Sequence, residues 1–298
     1  YYVHIKDGIA TEMKGGYERP ETRFTFAGEG SGFVRQIVTD LLKNAISNPS
    51  ELDRISINNI SHDIRKCIEF LQNADGISND DLIFIEWQFI KFFDHHKESP
   101  KTLMSAVAED PNFFSQLVAW MFKRDDKQEE AEELSLEQLQ ARANNAWELL
   151  NTIRVLPGQT GQEIDKDVLE NWVLQARKKL SDIGRERVGD SQIGQYLSRS
   201  PNGRDGYWPH ESVRYIIENY RSQGLEESLI TGKQNLRGIT SRHPYSGGRL
   251  ERDLVELYVE AAKSMELIYP RTARLLRYLS ENYEYQARRY DEDVELGR

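Results

Sequence analysis

Apolar side chains recur every three or four positions along most of the chain. From Val34 to Ile46 they follow one face of an amphipathic helix, and Asn48-Pro49 ends that pattern. The same period returns in later segments and predicts roughly a dozen helices with short connections. Helices joined in this way lie side by side. We therefore predict an all-α fold, an irregular solenoid-like or bundled array of antiparallel helical hairpins.

Several helix starts are marked by residues whose side chains accept hydrogen bonds from free backbone N–H groups. Ser78 and Ser135 each precede an apolar periodic segment, and Asp110 stands before Pro111 at the first helical position. Asp190 is predicted to cap a further helix in the same way. These residues predict four helix N-termini.

The first 30 residues differ from the rest. The pieces 1–5 and 23–26 are β-friendly and separated by glycines, which predicts a strand pair or an extended N-terminal arm over residues 1–30. The loop 157–161 is predicted to divide the remainder into an acidic helical subdomain, 31–156, and a charge-neutral one, 157–298. Residues 1–150 carry 16 Lys/Arg against 26 Asp/Glu, whereas residues 151–298 carry 23 of each. Any contact with a polyanion is therefore expected in the later half.

The segment with the most suggestive chemistry is the arginine- and glycine-rich connection 236–252. Gly247-Gly248 precedes a predicted helix, whose free N–H groups and positive dipole end favour a bound anion. The alternative is a connecting loop whose arginines pair with acidic residues of neighbouring helices. The predicted anion-binding residues are Arg242, His243, Gly247, Gly248, Arg249 and Arg252.

A second tract, 184–206, also concentrates arginine and glycine. Its Pro-Asn-Gly and Asp-Gly dipeptides are typical of turns, which accounts for the glycines. Together the tracts 184–206 and 236–252 raise the hypothesis of nucleic-acid or nucleotide binding through phosphate groups.

Five residues separate Arg237 from His243, a spacing that resembles the Arg-x(4–6)-His motif of HEPN-type helical ribonucleases. The resemblance implies that Arg237 and His243 jointly handle a scissile phosphate, usually in a dimer. The resemblance covers only seven residues. The sequence also departs from the family's helical motif, because Pro244 directly after His243 takes the histidine out of a helix interior. Arg237 and His243 are the candidate catalytic residues of this phosphodiesterase or ribonuclease hypothesis.

The sequence predicts no metal site and no cofactor. Asp94-His95-His96 is the densest group of ligand-type residues, but it ends a predicted helix, where histidine meets the negative dipole end favourably. There is no Walker loop, dinucleotide fingerprint or Gly-x-Ser-x-Gly elbow. The single cysteine, Cys67, falls in an apolar helical stripe and is predicted to be a small core residue.

These patterns favour a helical interaction or regulatory domain of a larger intracellular protein, with no catalysis evident. The chain begins at Tyr1 without methionine, which suggests an excerpt of a longer protein or a protein trimmed of a tag. No apolar run is long enough for a membrane span and no signal peptide is present, so we expect a cytoplasmic protein without membrane contacts. The expected partner is another protein or another domain of the parent chain. A phosphate-bearing ligand or nucleic acid at the later half is the alternative.

Overall fold

The fold is known from a computed structural model, which describes residues 2–6, 9–13, 36, 39–40, 57–93, 99–126, 134–238, 240–241, 243 and 246–296. The described residues form eleven α-helices and two small two-stranded sheets, which confirms the predicted all-α class. Within these ranges no helix is both long enough and apolar enough to cross a membrane. The chain divides into two compact units, Tyr1–Leu103 and Met104–Arg298. The predicted boundary at residues 156 and 157 stays a prediction.

The first unit contains an antiparallel strand pair, β1 (Tyr2–Lys6) and β2 (Ile9–Met13), with Tyr2 opposite Met13. The first predicted strand coincides with β1. Its partner β2 is a segment that the β-friendly pattern did not single out, and the second predicted piece, 23–26, lies outside the described residues.

Helices α1 (Ile57–Gln72) and α2 (Asn79–Gln88) form the core of the first unit, followed by a 3-10 turn at Ile90–Phe92. Cys67 packs against this core as a partly buried neighbour, close to its predicted role. The buried members of the core are Ile64, Ile68, Leu71, Leu82, Ile85, Phe89 and Phe93.

The remaining described helices follow along the chain, and a strand pair, β3 (Gln159–Thr160) and β4 (Glu163–Ile164), lies between the third and the fourth of them. In chain order the helices are α3 (Lys101–Glu109), α4 (Pro111–Met121), α5 (Leu136–Thr152), α6 (Lys166–Asp182), α7 (Glu186–Leu197), α8 (Glu211–Tyr220), α9 (Gln223–Asn235), α10 (Arg249–Met265) and α11 (Pro270–Glu295).

In the second unit α4 packs against α5, α6 and α7, and an aromatic cluster holds three of these helices together. Phe114 of α4, Trp172 of α6 and Tyr196 of α7 meet with ring centroids 4.9–5.7 Å apart. The indole N–H of Trp172 donates to the carbonyl of Val107, so the buried polar atom is satisfied. This cluster fixes the positions of α4 and α7 relative to α6.

Glycines allow α7 and α9 to pack closely. A Cβ on Gly194 would stand 3.0 Å from the carbonyl carbon of Leu225, and one on Gly232 would stand 2.7 Å from the Cβ of Ser198. A side chain at either position would push the helices apart, since such interiors have no room for an added methyl group. Helices α10 and α11 form a second tightly packed pair, and α11 also contacts α8 and α9.

The helix N-termini are capped in two ways. Six helices use a side chain at their own start, and the predicted caps Ser78, Asp110 and Ser135 are confirmed by hydrogen bonds from backbone N–H groups two or three residues ahead. Asp165, His210 and Ser222 cap α6, α8 and α9 in the same manner.

The predicted cap at Asp190 is wrong. Helix α7 begins four residues earlier, at Glu186, so Asp190 lies inside it. Its carboxylate instead accepts two hydrogen bonds from Arg177, at 2.7 and 2.9 Å, and one from the hydroxyl of Ser222. An ion pair across helices has replaced a local cap.

Four helices receive a carboxylate from a distant part of the chain. Helices α7, α10 and α11 have no side-chain hydrogen bond from their own N-cap residue. Their first N–H groups donate to Asp125, Asp291 and Glu218 respectively, and those of α3 donate to Glu86. The positive end of each helix dipole therefore meets a negative charge supplied by tertiary packing.

Candidate functional site

The predicted anion site at the start of α10 is occupied by a carboxylate of the chain itself. Gly247 and Gly248 are buried, and the N–H of Gly248 donates to Asp291 Oδ1 at 3.0 Å. The Arg252 guanidinium also binds the Asp291 carboxylate. The N–H of Gly248, and to a smaller extent Arg252, lowers the pKa of Asp291. The structure thus brings two of the predicted groups together around an internal anion.

Arg249 and His243 are exposed to solvent, while Arg242 lies outside the described residues. The carbonyl of His243 accepts hydrogen bonds from the backbone and hydroxyl of Ser246, which makes it part of the turn before α10. No ion pair of Arg249 is present within the described ranges.

Arg237 is held by the helical core. Its guanidinium donates to Glu251 Oε1 at 2.7 Å and lies 5.3 Å from the centroid of the Tyr283 ring. Glu251 is fully buried, so Arg237 supplies the positive charge that a buried carboxylate needs. The ribonuclease hypothesis for Arg237 and His243 stays a prediction.

In the tract 184–206, two arginines have structural partners. Arg185 is buried and donates to the carbonyls of Phe122 and Ala119 at the end of α4. Arg204 forms a forked pair with Glu163, at 2.6 Å for the closest atoms. Both contacts connect segments that are far apart in sequence.

Arg199, in the same tract, faces a cavity of about 170 Å³ between α4, α5 and α7. Its Nη1 donates to the carbonyl of Gln195 at 3.1 Å and its Nη2 to that of Asn151 at 2.8 Å. These carbonyls belong to the last turns of α7 and α5, so the guanidinium connects two helix C-termini. Within the described ranges no carboxylate lies at ion-pair distance from Arg199.

The cavity walls are aromatic and the rim is polar. Phe114, Phe122 and Tyr196 line the inside, and Trp147 lines it while remaining 54% exposed. The Tyr196 hydroxyl is already used, because it donates to the carbonyl of Val155 at 2.6 Å. This combination provides a desolvated surface beside a cation.

Three side-chain amides, those of Asn151, Gln192 and Gln195, also line the cavity. In the part of the chain that the structure describes, none of the three forms a side-chain hydrogen bond to protein. A side-chain amide has two N–H donors and one acceptor, so residues of this type can form hydrogen bonds with a molecule that enters the cavity.

Burial, with a smaller contribution from the positive charge of Arg154, lowers the pKa of Arg199 to about 10. The guanidinium remains protonated at neutral pH, but its charge is less well stabilised than that of an arginine in water. Burial also raises the pKa of Tyr196, so this phenol is neutral beside the cation. The cavity therefore presents a positive, partly desolvated centre.

A second surface depression, of about 600 Å³, lies beside β3 and is lined by Val155, Val168 and Trp172 together with the acidic side chains Glu109 and Asp165. Asp165 already caps α6. Among the described residues, no cationic side chain lines this depression.

His210 resembles a metal ligand at first sight, because its Nε2 lies 3.5 Å from a Glu211 oxygen and 3.9 Å from a Glu163 oxygen. Its Nδ1, however, accepts the N–H of Ser212, which places the ring proton on Nε2. A protonated nitrogen cannot coordinate a metal ion. No group of three or more potential metal ligands is found among the described residues, and Asp94-His95-His96 lies outside them.

Arg199 belongs to the arginine-rich tract 184–206, and its local sequence does not distinguish it from the other arginines there. Its cavity depends on Phe114, Trp147 and Asn151, which precede it by about 50 to 85 positions in the chain, as the numbering shows. The only local signal was an arginine directly after the apolar face of α7. Comparison with protein-family models, curated proteins and solved structures found no match to the chain.

Proposed function

We propose that the chain is a cytoplasmic helical interaction module that binds a partner protein through the cavity between α4, α5 and α7. The observation that carries the proposal is the contrast between this cavity and the predicted basic loops. Arg204, Arg237 and Arg252 are paired with carboxylates of the chain, whereas the cation and the three amides of the cavity have no side-chain partner among the described residues.

The exposed Trp147 at the cavity supports the same proposal. Tryptophan, tyrosine and arginine are the residues that most often dominate binding energy at protein interfaces, and all three types line this cavity. A tryptophan that is 54% exposed beside polar groups is suited to bury its ring against a partner.

The test uses the full chain with a photo-crosslinking amino acid in place of Gln192, to identify the partner in extracts of the source cell. Binding of the purified partner is then measured by calorimetry with Trp147→Ala and with Leu174→Ala, a control on α6 that is 50% exposed. We expect Trp147→Ala to weaken binding by about tenfold or more and Leu174→Ala to leave it unchanged. Equal affinities for the two variants would remove the cavity from the interface.

The alternative, polyanion binding through the tracts 184–206 and 236–252, depends on Arg187 and Arg249. Both are exposed, and the described part of the chain contains no ion pair to either. If the alternative is right, the chain binds single- or double-stranded nucleic acid at low salt, and Arg187→Glu with Arg249→Glu abolishes that binding. Our proposal expects no such binding at 50 mM salt, a concentration of the order at which phosphate contacts are strong.

A further inference from the structure

We infer that the group received by this cavity is a carboxylate carried on a small apolar or aromatic body, and that Arg199 is its principal ligand. The inference rests on the proposed function, since it concerns the same cavity, and it names the chemistry of the partner's inserted group. Four properties of the cavity support it: unused donors, charge, size and wall composition.

The donors of Arg199 are only partly used. A guanidinium has five N–H groups in a planar fork, and two of them are accounted for by the carbonyls of Gln195 and Asn151. The remaining N–H groups have no acceptor in the described part of the protein. A carboxylate can accept two of them in parallel, which is the geometry that arginine recognises best.

The role of Arg199 as a bridge between two helix ends explains its two carbonyl contacts but not the unused N–H groups. The amide side chains of Asn151, Gln192 and Gln195 line the same space and have no protein partner in the described part of the chain. A carboxylate seated against Arg199 would satisfy both sets, because each oxygen accepts more than one hydrogen bond.

The charge of Arg199 favours a negatively charged ligand. Its two contacts are to the carbonyl oxygens of Gln195 and Asn151 at the ends of α7 and α5, which carry partial and not full negative charge. In the part of the chain that the structure describes, no carboxylate lies at ion-pair distance from Arg199. A ligand carboxylate would supply the full negative charge that this guanidinium lacks there.

The size of the cavity favours a small inserted group. A volume of about 170 Å³ is close to that of the roughly 150 Å³ cavity that accepts a benzene molecule in a protein interior. The aromatic walls formed by Phe114, Phe122 and Tyr196 favour a flat or apolar body behind the charged group. A glutamate side chain, a benzoate or a phenylacetate has a size that suits this volume, whereas a whole nucleotide would extend out of the cavity.

The experiment titrates the full chain with benzoate and, separately, with benzamide, which has the same shape without the charge. Binding is followed by Trp147 fluorescence, assigned by comparison with Trp147→Phe. We expect saturable binding of benzoate and at least tenfold weaker binding of benzamide. Equal binding of the two compounds, or no binding of either, overturns the inference on the unmodified protein.

Two variants assign the effect to the fork of Arg199. Arg199→Lys keeps the charge but not the parallel donors, and we expect at least tenfold weaker benzoate binding. Arg187→Lys is the matched control on an exposed arginine of the same tract and leaves benzoate binding unchanged. Gln192→Leu, which leaves Arg199 and the helix ends intact, is expected to weaken benzoate binding threefold or more. Unchanged binding in both cavity variants contradicts the assignment.

A second binding experiment, with peptides, distinguishes a carboxylate of a partner protein from a free small carboxylic acid. A capped pentapeptide with glutamate between two phenylalanines is compared with its glutamine counterpart. Tighter binding of the glutamate peptide supports a partner's side chain, and binding of benzoate alone supports a small carboxylic acid.

If Trp147→Ala weakens binding of the partner but benzoate does not bind, the interaction module stands and the carboxylate inference falls. If benzoate binds but Trp147→Ala leaves the partner unaffected, the proposed function falls.

Discussion

Replacement of Glu218 by alanine tests whether a distant carboxylate does the work of a helix cap. Glu218, on α8, accepts the N–H of Thr272 at 2.8 Å, its hydroxyl at 3.0 Å and the N–H of Arg271 at 3.2 Å. These N–H groups are at the second and third positions of α11, where an intrahelical partner does not exist. Tyr269, the N-cap residue of α11, provides no side-chain hydrogen bond.

The expected cost follows from these contacts. Loss of a side-chain cap costs about 1 kcal/mol. The interaction of a carboxylate with the helix dipole contributes about 0.3–1 kcal/mol, and the hydrogen bond from the Thr272 hydroxyl about 1 kcal/mol. Because water can partly replace the carboxylate at this half-buried position, we expect Glu218→Ala to lower the free energy of unfolding by about 2 kcal/mol. Glu218→Gln keeps an acceptor but loses the charge, and we expect about half that effect.

The assay is urea unfolding of the full chain followed by circular dichroism, with hydrogen–deuterium exchange to locate the change in the first turn of α11. The control is Glu260→Ala, an exposed glutamate on α10 for which we expect a change within about 0.5 kcal/mol. If Glu218→Ala and Glu260→Ala unfold at the same urea concentration, Glu218 does not act as a cap.

Three further predictions concern other packing contacts. Burial raises the pKa of Glu86 above its usual 4.5, so the stability that its protonation contributes is full below the pKa of the unfolded chain and is lost as pH rises through the folded-state pKa. Glu86→Gln should therefore gain stability relative to the unmodified protein between pH 4 and pH 7, measured by urea unfolding at both values. A constant difference in the free energy of unfolding would contradict this. Gly194→Ala places a methyl group against the backbone of Leu225 and should destabilise the second unit by about 1–3 kcal/mol, measured by its thermal unfolding, whereas full stability would mean that the helices can separate without cost. Asp291→Asn should speed amide exchange at Gly248, because the lowered pKa of Asp291 reflects a charge-stabilised hydrogen bond from that N–H. Unchanged exchange would mean that the negative charge of Asp291 does not strengthen this hydrogen bond.

The sequence predicted that arginines would take part in binding, but it did not predict which arginine lies in a cavity. The arginine-rich tracts were visible as composition, but composition does not distinguish an arginine that meets a carboxylate from one that does not. Arg237 and Arg252 found Glu251 and Asp291 on the neighbouring helices, as the alternative interpretation of that loop expected. Arg199 met helix ends instead, and only the packing of α5 against α4 placed Trp147 beside it.

The sequence by itself determined the helical class and the caps at Ser78, Asp110 and Ser135, because in each case the acceptor and its N–H donor are two or three residues apart and chain geometry alone brings them together. The tertiary structure decided the caps that come from Glu86, Asp125, Glu218 and Asp291, whose partners are 16 to 62 residues away. A free helix N-terminus attracts any carboxylate that folding delivers, and local sequence does not specify which one arrives. The cavity at Arg199 could not be predicted for the same reason. Whether an arginine meets a carboxylate depends on how α4, α5 and α7 pack together, and the local segment does not determine that packing.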